Sequence, residues 1–81
     1  MFLHLGGDVV IPIRNIVAIM DLEAKDNSES TTEFLSVADD EGFVVHLSES
    51  PNSFVVTSDK VYLSPISALT LRKRAAEFCR D

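Results

Sequence analysis

The sequence predicts an α+β fold: a small, mostly antiparallel sheet of short strands with two helices, the second C-terminal. Three features lead there. Short β-branched runs separated by turn residues lie on both sides of a polar middle section. The stretch from Ser30 to Gly42 has a helix start and a helix stop. Ala68, Leu71, Ala75, Phe78 and Cys79 recur at spacings of three or four, the mark of an amphipathic helix. An 81-residue chain has room for one hydrophobic core, so residues 1–81 are read as a single domain.

The elements follow in order. Phe2 to Leu5 alternates apolar residues with His4 and meets Gly6-Gly7-Asp8, where two glycines free to take positive φ predict a hairpin turn. Val9 to Ile13 is the returning strand, and Pro12, with no N–H to donate, places it at an edge or breaks it. Ile16 to Met20 is short, continuous and β-branched, and reads as a strand buried on both faces. Asp21 to Ser30 is polar enough to be a solvated loop.

Ser30-Thr31-Thr32-Glu33 fits a capping box, in which the serine and glutamate side chains satisfy backbone donors at a helix start. Gly42 is the expected stop, although Asp39, Asp40 and Glu41 before it oppose the negative end of the helix dipole. Phe43 to Leu47, Ser53 to Thr57 and Lys60 to Leu63 follow as three strands of a meander. Ser64-Pro65 supplies an N-cap and a proline at the first helical position, so the last helix is expected to begin there.

Composition narrows the function. Thirteen acids against seven Lys and Arg leave a net charge of −6, which argues against coating DNA by bulk electrostatics. The charge is polarised, however, since Arg72, Lys73, Arg74 and Arg80 all lie in the last ten positions. No apolar run approaches the roughly 20 residues of a membrane helix, and the N-terminus lacks a secretory pattern. Cys79 is the single cysteine and has no internal disulfide partner. A cytoplasmic protein without membrane contact is the expectation.

Catalytic chemistry finds little support. His4 and His46 each sit inside a strand-like run, and neither has Cys79 or the other histidine at ligand spacing, so no metal site is expected. Gly6-Gly7-Asp8 lacks the third glycine of a dinucleotide fingerprint and opens a strand instead of a helix. Asp21, Glu23 and Asp26 lack the central glycine and distal glutamate of a calcium loop. Ser48, Ser50 and Ser53 have no nearby histidine-and-acid arrangement. The reading is a non-enzymatic binding protein without a cofactor.

The run from Leu3 to Val10, Leu-His-Leu-Gly-Gly-Asp-Val-Val, followed by Ile16-Val17-Ala18-Ile19-Met20-Asp21, resembles the start of the bacterial extracellular-matrix regulator family of RemA and RemB. Phe54 to Ser67, Phe-Val-Val-Thr-Ser-Asp-Lys-Val-Tyr-Leu-Ser-Pro-Ile-Ser, looks like the RemB branch in particular. The resemblance covers most of the chain, leaving out Ala24 to Ser30. It implies a DNA-associated regulator of biofilm-matrix genes in Gram-positive bacteria, built from a small α+β subunit that self-associates into a ring-like homo-oligomer. In the RemA branch, DNA contact is associated with arginines in a loop corresponding here to Ser48-Glu49-Ser50-Pro51-Asn52. This chain has no arginine there, and Glu49 repels phosphate.

Two functions remain open. In the first, Arg72, Lys73 and Arg74 take over nucleic-acid binding, and repetition around a ring raises the apparent affinity of a weak single contact. Against it stands a plain structural role, in which these bases pair with acids or complement the helix dipole. In the second, an acidic interaction subunit assembles alone or with a basic RemA-like relative and modulates that relative's DNA binding, using a strand edge and an apolar helix face as contact surface.

Overall fold

Two glycines turn the chain back on itself at its start. In the computed structural model, which describes residues 1–22 and 29–78, Gly6 and Gly7 take φ of +129° and +55°, values that side chains with a Cβ resist. They join β1 (Phe2–Gly6) to β2 (Val9–Pro12) in an antiparallel hairpin. Alternation sorts its faces: Leu3, Leu5 and Ile11 are buried, while Phe2, His4 and Val10 face outward. Pro12 ends β2 opposite Phe2, and a 3-10 turn at Ile13–Asn15 leads on.

β3 (Ile16–Asp21) pairs with the inner strand β5 (Ser53–Thr57) and stands at the edge of a four-stranded sheet that β6 (Val61–Ser64) and β4 (Val44–His46) complete, in the order β3-β5-β6-β4. The expectation of burial on both faces is corrected here, because Val17 is 70% exposed and Met20 is also exposed. An irregularity between Ile16 and Ala18 lets the register slip past Val17, as a bulge does. A continuous apolar run therefore produces an edge strand with its surplus side chain in solvent.

α1 (Glu29–Asp40) begins before the capping-box serine, so Ser30 lies within the helix instead of ahead of it. Residues 23–28, most of the expected solvated loop, lie outside the described residues. The stop is as expected. Gly42 takes φ +81°, its N–H donates to Asp39 O at 3.0 Å, and the Phe43 N–H reaches Ala38 O at 2.9 Å. That pair of bonds is a Schellman closure, which satisfies carbonyls at the helix end.

The last three strands depart from a meander. β5 (Ser53–Thr57) and β6 (Val61–Ser64) form the expected antiparallel hairpin, but β4 (Val44–His46) skips β5 and runs parallel to β6. Val61 N–H to Phe43 O and Leu47 N–H to Leu63 O extend that pairing at both ends. The cause is burial: Ser53, Phe54, Val55 and Thr57 are all buried, so β5 needs a neighbour on each side. β3 and β6 occupy those sides, and β6's outer edge is what remains for β4.

Two apolar clusters set the layers. The hairpin's Leu3, Leu5 and Ile11 pack with Val55 of the sheet and Leu71 of α2 (Ala68–Phe78) on one face. Phe54 and Val61 pack with Ala38 of α1 on the other.

Candidate nucleic-acid interface on the last helix

The placement of α2 is decided by the segment before it. Ser64, expected to cap the helix, is instead the end of β6, and the helix starts at Ala68. Ser67 does the capping, accepting the Thr70 N–H on its hydroxyl at 3.2 Å. The connection between is tied down by side chains: Asn52 donates to Pro65 O at 2.8 Å, Ser53 donates to Ile66 O at 2.6 Å, and Ser64 accepts the Ile66 N–H at 3.1 Å. The Ser64 hydroxyl also donates to Leu5 O in the first hairpin. Ser53 and Ser64 are fully buried, so these bonds satisfy groups with no access to water.

With its entry fixed, α2 turns Ala68 and Leu71 into the core, 3% and 0% exposed, with Ala75 packed beside them. Arg72, Lys73 and Arg74 are all exposed. Successive residues step by about 100° around a helix, so Arg72 and Arg74 point about 160° apart. The three bases therefore fan around the helix instead of forming one row. Arg72 turns toward β3, where its guanidinium donates to Ile19 O at 2.7 Å. Arg80, Cys79 and the side chain of Phe78, the end of the expected apolar stripe, lie outside what the structure describes.

The plain structural reading of these bases can be compared with their surroundings. Among the described residues the one ion pair is His46 with Asp39 at 3.3 Å, so no described carboxylate neutralises Arg72, Lys73 or Arg74. Nor do they sit in the last turn of α2, where the dipole would favour them. Arg72 alone has an internal role, holding an edge carbonyl.

The loop from Ser48 to Asn52 lies elsewhere, at the end of β4. With His46, Leu47 and Leu63, its Ser48, Glu49 and Pro51 line an open groove of about 590 Å³, and Glu49 is exposed. Among the described residues no lysine or arginine lines it, so the groove lacks the cations that phosphate contacts draw on. Asn52, at its end, is instead structural: its N–H donates to Ser64 O and its carbonyl accepts the Leu22 N–H.

The histidines are held locally. His4 Nε2 bonds Gly7 O at 2.8 Å within the first hairpin, while His46 faces Asp39 across the end of α1. Among the described residues no three His, Cys, Asp or Glu side chains gather as a metal site. No described helix is long and apolar enough to cross a membrane. What sequence reasoning missed is the set of Asn52, Ser53 and Ser64, whose partners are backbone carbonyls far along the chain and leave no local signal.

A family model described as RemA-like, extracellular matrix regulatory protein A-like, matches residues 2–75. The chain is also similar to extracellular matrix regulatory protein B of Bacillus subtilis (strain 168), with 41% identity over 75 residues, spanning 93% of this chain and 90% of that protein. The family match over residues 2–75 takes in the glycine hairpin, both apolar clusters and α2 as far as Ala75, and the chain belongs to the RemA-like family.

Proposed function

We propose that this chain is a non-enzymatic regulator of extracellular-matrix genes that works in the cytoplasm as an oligomer and associates with DNA through the basic side chains of α2. Lys73 and Arg74 contact phosphate, and Arg72 adds charge beside the sheet edge. The observation that carries this reading is that all three bases are exposed and have no acidic partner among the described residues. Kinship with a protein named for matrix regulation supports the regulatory part. One subunit with a net charge of −6 binds DNA weakly. Repetition in an assembly compensates, because each further contact is made at high effective concentration.

The test is binding of the purified protein to matrix-promoter DNA across a salt series. Phosphate contacts make affinity fall steeply with salt, and changing Arg72, Lys73 and Arg74 together to alanine should abolish binding. Undiminished binding by that triple variant would remove the proposed site.

The exposed Glu49 in the loop from Ser48 to Asn52 favours a second reading, an acidic subunit that joins a RemA-like relative and modulates its DNA binding. In that case the chain alone binds no DNA at any salt concentration, yet alters the affinity of the relative when the two are mixed.

A further inference from the structure

The four-stranded sheet has two edges, β3 and β4, and the fold treats them differently. On β3 the register slips past Val17, and the Arg72 guanidinium occupies Ile19 O. A bulge and a charged side chain laid on an edge both hinder the addition of another strand. β4 has neither, and it pairs with β6 in unbroken register from Val44 to His46.

The free side of β4 follows from that ladder. Phe43 O and Leu47 N–H both bond β6, and successive residues of a strand turn their backbone groups to alternate sides. Val45 therefore faces β6 as well, while the N–H and C=O groups of Val44 and His46 point outward. Among the described residues no strand pairs with that side. The open groove of about 590 Å³ lies at the C-terminal end of this edge, where Leu47, Pro51 and Leu63 make much of its lining apolar.

Charge decides what kind of segment fits. Glu49 lines the groove, Asp39 lies 3.3 Å from His46 Nε2, and Asp40 and Glu41 are exposed shortly before β4 in the chain. Lys60 stands at the other end of the edge with Asp59 beside it in the chain. A surface of this balance attracts cationic side chains and repels acidic ones.

We propose that β4 takes up an extended, lysine- or arginine-bearing segment of another protein as an added strand. The main chain of that segment bonds the outward groups of Val44 and His46, an apolar side chain enters the groove, and a base faces Glu49. In strand addition of this kind, main-chain bonds supply affinity and flanking pockets select the sequence. Arg72 sits at the opposite edge of the sheet, so this surface is separate from the one proposed for DNA. A second copy of this chain suits the edge less well, because it brings a net charge of −6 to an acidic surface.

The test uses the full chain and three capped seven-residue peptides. One is Thr-Val-Lys-Val-Lys-Val-Thr, the second carries glutamate in place of both lysines, and the third is the lysine peptide with its backbone amides methylated. The lysine peptide should slow hydrogen exchange of the Val44 and His46 N–H groups about tenfold or more, as newly bonded amides are protected. The other two peptides should bind about tenfold more weakly in chemical-shift titrations, having lost attraction or main-chain donors. Glu49→Lys, a change at an exposed loop position, should reverse the preference between the lysine and glutamate peptides. No binding of the lysine peptide, binding without protection at Val44 and His46, equal binding of the glutamate peptide, or an unaltered preference in the variant each overturns the proposal. So does protection of both N–H groups in the free chain that vanishes on dilution, since a second copy then fills the edge.

Discussion

The hydroxyl of Ser64 donates to the carbonyl of Leu5, joining residues 59 positions apart, and it also accepts the N–H of Ile66. One buried side chain thereby ties the first hairpin, the last strand and the lead into α2 together. Ser64→Ala leaves the Leu5 carbonyl and the Ile66 N–H without this partner, and a cost of about 1–3 kcal/mol is expected from the unmet group. Urea denaturation with an unchanged slope measures it. A midpoint equal to the native one would show that the bond holds nothing.

Gly6 lies against the same segment. A Cβ there would meet Pro65 Cδ at 2.9 Å, in a backbone conformation of φ +129° that alanine resists. Gly6→Ala should therefore cost about 1–3 kcal/mol from backbone strain alone. Gly7, with φ +55° and open space around it, meets no such neighbour, so Gly7→Asn is expected to be the milder change in thermal melts.

Two leucines of α2 separate core from surface. Leu71 is fully buried and Leu69 is 63% exposed. Leu71→Ala should destabilise by about 2–5 kcal/mol through lost contacts and a residual cavity. Leu69→Ala should stay within about 0.5 kcal/mol of the native chain, as surface changes do. Equal losses would mean that the helix is rotated from the position described here.

Arg72 and Lys73 differ in the same way. Arg72 holds Ile19 O, so Arg72→Ala is expected to lower stability by about 0.5–1.5 kcal/mol, the ordinary worth of such a bond. Lys73→Ala should leave stability unchanged and, if Lys73 meets phosphate, reduce the salt slope of DNA binding by about one. Paired melting and binding measurements on each variant separate the two roles.

The pair of His46 and Asp39 is more than half exposed on both sides. Exposed pairs contribute little, and His46→Ala is expected to shift stability by less than about 1 kcal/mol. A larger loss in calorimetry would assign His46 a role beyond joining β4 to the end of α1.

Legibility in the sequence followed the range of the forces involved. The Gly6-Gly7 turn and the Gly42 stop were readable because positive φ is a local demand that glycine meets by itself. The apolar spacing of Ala68, Leu71 and Ala75 marked the buried face of α2 for the same reason. Ser64 and Ser67 show the limit: both precede a helix by a plausible interval, and Ser64 is drawn away because Leu5 O lies within its reach in the folded chain. For the candidate site, the exposure of Arg72, Lys73 and Arg74 was foreseeable from their polarity. Their divergence around the helix, and the bond from Arg72 to Ile19, were not.

By itself, the amino-acid order determined where strands and helices form, how two helices accompany short strands, and which end of an acidic chain carries the bases. Propensity, turn chemistry and periodicity act over a few residues and are written in consecutive letters. Tertiary structure alone decided that β3 is an edge with Val17 in solvent and that β4 runs parallel to β6. Burial and strand pairing depend on which distant segments compete for the same neighbour, and β5, buried along nearly its whole length, won both of its sides.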